Sequence, residues 1–123
     1  MKKVFYVIFF FGLSLNSQNI LNERERAVVV NEILKERFDN LLPKLMDRTG
    51  IDMWILISRE YNEDPVLRNM LPAQWLNARR RTIILFYRDK ENNSLDKLAV
   101  ARYNFGENII SAWDKESEPN QWK

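Results

Sequence analysis

The sequence predicts an α/β domain, a small mixed β-sheet packed by one long amphipathic helix. Three observations carry this expectation. Apolar residues recur every three or four positions over residues 27–45. Two short apolar runs, at 53–57 and 82–87, read as strands. Polar, Gly- or Pro-containing clusters separate these runs, giving the order helix, strand, short helix, strand, strand.

The helix starts where Asn22 is followed three residues later by Glu25, an N-cap and its reciprocal acid. Ala27, Val30, Leu34, Phe38, Leu41 and Leu45 form its apolar stripe, widened by Ile33, and Gly50 ends it. Pro43 lacks a backbone donor, so a kink or a second helix is expected near it. Met53-Trp54-Ile55-Leu56-Ile57 then reads as a strand buried on both faces. Asn62 or Asp64 is placed to cap a short helix through Val66, Leu67 and Met70, stopped by Pro72, with Trp75 and Leu76 packing on the body. Residues 82–87 form a second apolar strand, residues 89–94 a turn, and residues 98–103 a third strand antiparallel to the second. Ile109 and Ile110 add a short edge, and Trp113 docks on the core. One helix covers one face of such a sheet, so the other face needs a cover from further chain or from a partner.

Composition limits the chemistry. The chain has 123 residues, 19 basic and 17 acidic, and neither cysteine nor histidine. Cys/His metal sites, cysteine nucleophiles, serine–histidine pairs and disulfides are therefore excluded. Residues 1–18, MKKVFYVIFFFGLSLNSQ, have the layout of a secretory signal peptide: Lys2 and Lys3, an apolar run from Val4 to Leu13, then small polar residues with cleavage after Ser17. That run is shorter than the roughly 20 residues a membrane-spanning helix needs. The expected protein is secreted or periplasmic, has no stable membrane span, and consists of one partial domain over residues 19–123. Without Lys2 and Lys3 the basic count equals the 17 acidic residues, so no nucleic-acid partner is expected.

The densest polar cluster runs from Arg59 to Asp64, directly after the first strand. In open α/β sheets ligands often bind beyond the carboxyl end of a strand. Arg59 is then a carboxylate binder and Glu60 its orienting partner; the plainer alternative pairs Arg59 with a nearby acid and uses Asn62 and Asp64 as caps. Glu60 and Glu63 form a weak acid/base pair candidate, and the cluster lacks the alternation and central glycine of a calcium loop. Arg79-Arg80-Arg81 leads into a strand, where alternation points Arg80 away from the other two, so surface ion pairing is expected rather than a phosphate patch. Asn92-Asn93-Ser94 matches a glycosylation acceptor on a turn.

The stretches LLPKLMDRTGIDMWILISREYNEDP (41–65) and LPAQWLNARRRTIILFYRD (71–89) resemble the amino-terminal, non-catalytic domain of the creatinase/prolidase family, whose peptidase members are Xaa-Pro aminopeptidases and proline dipeptidases. The resemblance implies a creatinase-like amino-terminal fold, truncated before the catalytic "pita-bread" domain. In the family that domain holds two divalent metal ions through two aspartates, a histidine and two glutamates; this chain has no histidine and carries no such motif. The resemblance thus implies no cofactor and no catalytic residue in this chain. It implies a partner, namely the catalytic domain of the same longer protein or of another subunit, and a homodimer. It also implies a substrate-entrance role for Arg59, Glu60 and Tyr61, with Arg80 behind them. The alternative is a secreted, independent binding or adaptor domain using its uncovered sheet or Trp75, Trp113 and Trp122.

Overall fold

The computed structural model describes residues 20–123, so the signal-peptide segment expected at 1–18 lies outside the described residues. Helix α1 (Glu23–Glu36) begins with a complete capping box. The Asn22 carboxamide oxygen accepts from the Glu25 amide at 3.0 Å, and the Glu25 carboxylate accepts from the Asn22 amide at 3.0 Å. A π-helical turn (Arg37–Leu41) joins it to α2 (Leu42–Thr49), which has Pro43 in its first turn and ends at Gly50 with φ +70°. The wide turn absorbs the backbone disruption that Pro43 imposes on the preceding carbonyls.

That turn also corrects the expected stripe. Leu34, Phe38, Leu42 and Met46 are buried, whereas Leu41, Val30 and Ile33 are exposed. A π turn holds more residues than an α turn, so the inward face advances by one residue, from Leu41 to Leu42.

The four-stranded sheet has the order β1 (Met53–Arg59), β2 (Arg81–Asp89), β3 (Ser94–Ala99), β4 (Ile110–Ser111). Pairs β1–β2 and β2–β3 are antiparallel and β3–β4 is parallel, so the sheet is mixed. A short helix, α3 (Pro65–Arg68), is capped by Asp64 rather than Asn62. The third strand starts and ends earlier than expected. Its chain leaves the ladder after Ala99, where the Val100 amide donates to the Ile83 carbonyl, and returns as the parallel β4. Gly106 lies in that return with φ +63°, where a Cβ would meet Pro72 at 3.2 Å.

The register decides which residues meet the helices. Trp54, Leu56 and Ser58 share one face with Phe86, Ile84 and Thr82. On that face Leu56, Ile84, Phe86 and Ala99 join Leu34, Phe38, Leu42 and Met46 in the core, with the Phe38 and Phe86 rings 5.5 Å apart. Each of the Leu, Ile, Phe and Met side chains contributes about 1.5–3 kcal/mol through burial. Met53, Ile55 and Ile57 point to the opposite face beside Tyr87, Leu85 and Ile83, and Leu98 and Ile110 extend that row. Met53, Ile55 and Ile57 remain 51%, 48% and 51% exposed, whereas Ile83 in the same face is 6% exposed. The expectation that β1 is buried on both faces is thus corrected: among the described residues a single helical layer covers one face. Leu76, expected to pack on the body, is 80% exposed, whereas Trp75 stacks on Phe105 with centroids 4.3 Å apart.

Buried Arg88 fastens the layers together. Its Nε and Nη2 donate to the two carboxylate oxygens of Asp47 in α2, each at 3.0 Å. Its Nη1 donates to the Ser94 carbonyl at 3.1 Å, and its Nη2 also donates to Asn93 at 2.6 Å. Arg88 thereby holds the Asp47 carboxyl below the ordinary carboxylate range.

Candidate functional site

The antiparallel pairing of β1 with β2 brings together two segments that are distant in sequence. Arg59 at the carboxyl end of β1 lies opposite Arg81 at the start of β2, on the same sheet face as Ile57 and Ile83. Past this pair the chains are stitched together: the Glu60 amide donates to the Arg80 carbonyl at 3.2 Å, and the Asn62 amide to the Arg59 carbonyl at 3.1 Å. Asp64 is tied back by its amide to Ser58 Oγ at 3.1 Å.

These contacts frame an open cleft of about 640 Å³ lined by Arg59, Glu60, Tyr61, Arg80, Arg81 and Trp122. All four residues expected at a substrate entrance, Arg59, Glu60, Tyr61 and Arg80, lie on its wall. A larger adjoining hollow of about 860 Å³ shares Glu60, Arg80 and Arg81 and adds Arg79, Arg102 and Lys115. Together the two hollows are bordered by six basic side chains and one acidic one.

The expected splitting of the arginine run does not occur. Arg80 has φ +38°, a left-handed conformation, so strand alternation begins only at Arg81, and all three arginines border the larger hollow. The expected ion pairing is corrected as well. Among the described residues Arg59, Arg79, Arg80 and Arg81 form no ion pair. Instead the Arg79 guanidinium lies 5.1 Å from the Trp75 ring centre and that of Arg81 lies 5.1 Å from that of Trp122. Stacking holds these guanidiniums without neutralising them. Like charges directly opposite, as at Arg59 and Arg81, disfavour the pairing of their strands.

Tyr61 also has positive φ, +66°, and is 96% exposed. A left-handed non-glycine residue costs about 1–2 kcal/mol. Two such residues, Tyr61 and Arg80, therefore flank one cleft at a cost to folding.

Other sequence candidates have structural roles. The Glu63 carboxylate accepts from the Ala78 amide at 2.9 Å and lies 3.9 Å from Arg68, so it braces a loop and does not face Glu60 across the cleft. Among the described residues no cluster of three or more acidic side chains is placed to hold a metal ion. Asn92 sits on the exposed β2–β3 turn, bonded to Asp89 at 2.6 Å. Sequence reasoning missed Arg81 as a cleft residue, and it named Trp122 only as a free aromatic. Pairing the two apolar strands in antiparallel register is the signal that finds Arg81.

Comparison with known proteins finds no matching family model, no matching curated protein and no matching solved structure. Among the described residues no helix is long and apolar enough to cross a membrane.

Proposed function

We propose that this chain is a non-catalytic docking domain of the creatinase/prolidase type, the amino-terminal part of an Xaa-Pro aminopeptidase-like metallopeptidase. It packs its uncovered sheet face on the catalytic body, shapes the substrate entrance with the cleft, and takes part in oligomerisation. One observation carries the reading. The open face presents the exposed apolar side chains Met53, Ile55, Ile57, Tyr87 and Ile110, with Ile83 alone buried in the same face. Contiguous apolar patches of this kind mark interaction surfaces. A strand such as β2, apolar at successive positions, suits a sheet covered on both sides. The sequence stretches at 41–65 and 71–89 supply the family part of the reading.

The entrance role follows from position. Arg59 and Arg81 continue the apolar row, so a body seated on the open face borders the cleft. The cleft can then screen substrates by charge and length without cleaving a bond. The divalent metals of the reaction belong to the catalytic body, and this chain supplies neither ligand nor nucleophile.

A photo-crosslinking residue at Ile55, in cells of the source organism, tests the docking. The expected cross-link, within one longer chain or between subunits, joins this domain to a body carrying the two-aspartate, histidine and two-glutamate metal set. Cross-links confined to unrelated proteins contradict the reading. So does turnover of Xaa-Pro peptides by the purified chain with manganese, cobalt or zinc.

The second reading, an independent binding domain, draws on the cleft itself. Its unpaired arginines and exposed rings are complete within one chain and need no catalytic body.

A further inference from the structure

We propose that the cleft between β1 and β2 binds a nucleoside phosphate, free or at the end of a single strand. The inference rests on the second reading, an independent binding domain, and uses Arg59, Glu60, Tyr61 and Arg80 of the cleft.

Charge sets the anionic part of the ligand. The cleft holds three guanidiniums, Arg59, Arg80 and Arg81, against the single carboxylate of Glu60. One carboxylate ligand leaves this excess unbalanced. A phosphate carries more charge and three oxygens, and guanidinium forks bind it with paired, charge-assisted hydrogen bonds. The backbone points the same way, because the left-handed turn at Arg80 puts it beside Arg81 on the cleft wall, where a regular strand would have turned it away.

The aromatic residues set the rest. Tyr61 and Trp122 stand on the same wall, 96% and 56% exposed. Arg81 lies over the Trp122 ring, and Gln121, the residue before it, is anchored by its side chain donating to the Val100 carbonyl at 2.7 Å. Exposed rings beside a cationic groove stack planar bases. Glu60 is half-buried in the same cleft and offers an acceptor for a ribose hydroxyl or a base amine. A volume of about 640 Å³ lies within the size range of small-molecule sites. Sequence alternation argued against a phosphate partner by splitting the arginine run, and the observed backbone removes that argument.

The test titrates the complete chain with adenosine monophosphate, a short oligothymidylate, inorganic pyrophosphate and polyglutamate, following tryptophan fluorescence. Saturable binding of the nucleotide or the oligonucleotide, weakened by added salt, is expected. Equal affinity for the two points to the free nucleotide, and a tenfold preference for the oligonucleotide, about 1.4 kcal/mol, points to a strand. Arg59→Ala and Arg80→Ala should each weaken binding about 10-fold or more. Tyr61→Ala and Trp122→Ala should weaken nucleotide binding at least about 5-fold and leave pyrophosphate unchanged. Arg48→Ala, in the last turn of α2, should have no effect. Circular dichroism checks that each variant is folded, and Arg59→Lys and Arg80→Lys replace any that is not.

Absence of saturable binding overturns the proposal. So does binding insensitive to Arg59 and Arg80, pyrophosphate binding as tightly as the nucleotide, or polyglutamate binding more tightly than either. None of these outcomes bears on the Ile55 cross-link, which needs the sheet face and not the cleft.

Discussion

The two faces of the sheet carry the same kind of residue and differ in what meets them. On one, Leu56, Ile84 and Phe86 are at most 4% exposed beneath α1 and α2. On the other, Met53, Ile55 and Ile57 stay about half exposed. Packing within the described residues accounts for the first set and leaves the second without a structural reason. The two ends of the sheet differ in a parallel way. At the β2–β3 turn Arg88 and Lys90 pair with Asp47 and Asp52. At the opposite end Arg59, Arg80 and Arg81 line a cleft with no ion pair among the described residues. Paired groups and buried side chains hold this fold together, and the proposed docking face and cleft lie where the sheet lacks both.

Removing a core side chain should produce the largest effect. Phe86→Ala should cost about 3–5 kcal/mol in denaturant unfolding, because its ring is fully enclosed and contacts Phe38 and Trp54. A cost near that of an exposed substitution would erase the distinction between the faces.

Acid tests the paired end. Asp47 has its carboxyl held low by Arg88, so the stability it contributes is complete above the unfolded carboxylate range and is lost as the pH falls through the lower folded value. Asp47→Asn should therefore destabilise the chain at neutral pH, with the difference from wild type closing in acid. A destabilisation that persists undiminished in acid would contradict the role given to the Arg88–Asp47 pair.

Smaller effects sharpen it. Asn22→Ala removes half of the capping box and should cost about 1 kcal/mol. Tyr61→Gly relieves a left-handed tyrosine and should stabilise the chain by up to about 1 kcal/mol while weakening the cleft. Ile57→Thr should change chain stability by no more than about 0.5 kcal/mol. A large loss there would mean that the open face already has a structural role within the chain.

Much of this was readable in the sequence where the signal is local. Asn22 with Glu25 marked the start of α1, Gly50 the end of α2, and the runs at 53–57 and 82–87 strands β1 and β2. Of the site, Arg59, Glu60, Tyr61 and Arg80 were singled out from their place beside those strands. What escaped depends on tertiary geometry. The π turn that exchanges Leu41 for Leu42 has no composition cue, and the parallel return of β4 is set by a loop rather than by its two residues. The left-handed Arg80 defies residue preference, so alternation gave the wrong grouping of the arginines.

The absence of cysteine makes one measurement unusually direct. A single Ile55→Cys substitution can be labelled with a water-soluble maleimide in the purified chain and in intact extracts of the source organism, with Leu76→Cys as a control at an 80% exposed position. The docking account predicts fast labelling of both positions in the purified chain, and protection of Ile55→Cys alone in the extract. Equally fast labelling of Ile55→Cys in both preparations would contradict it.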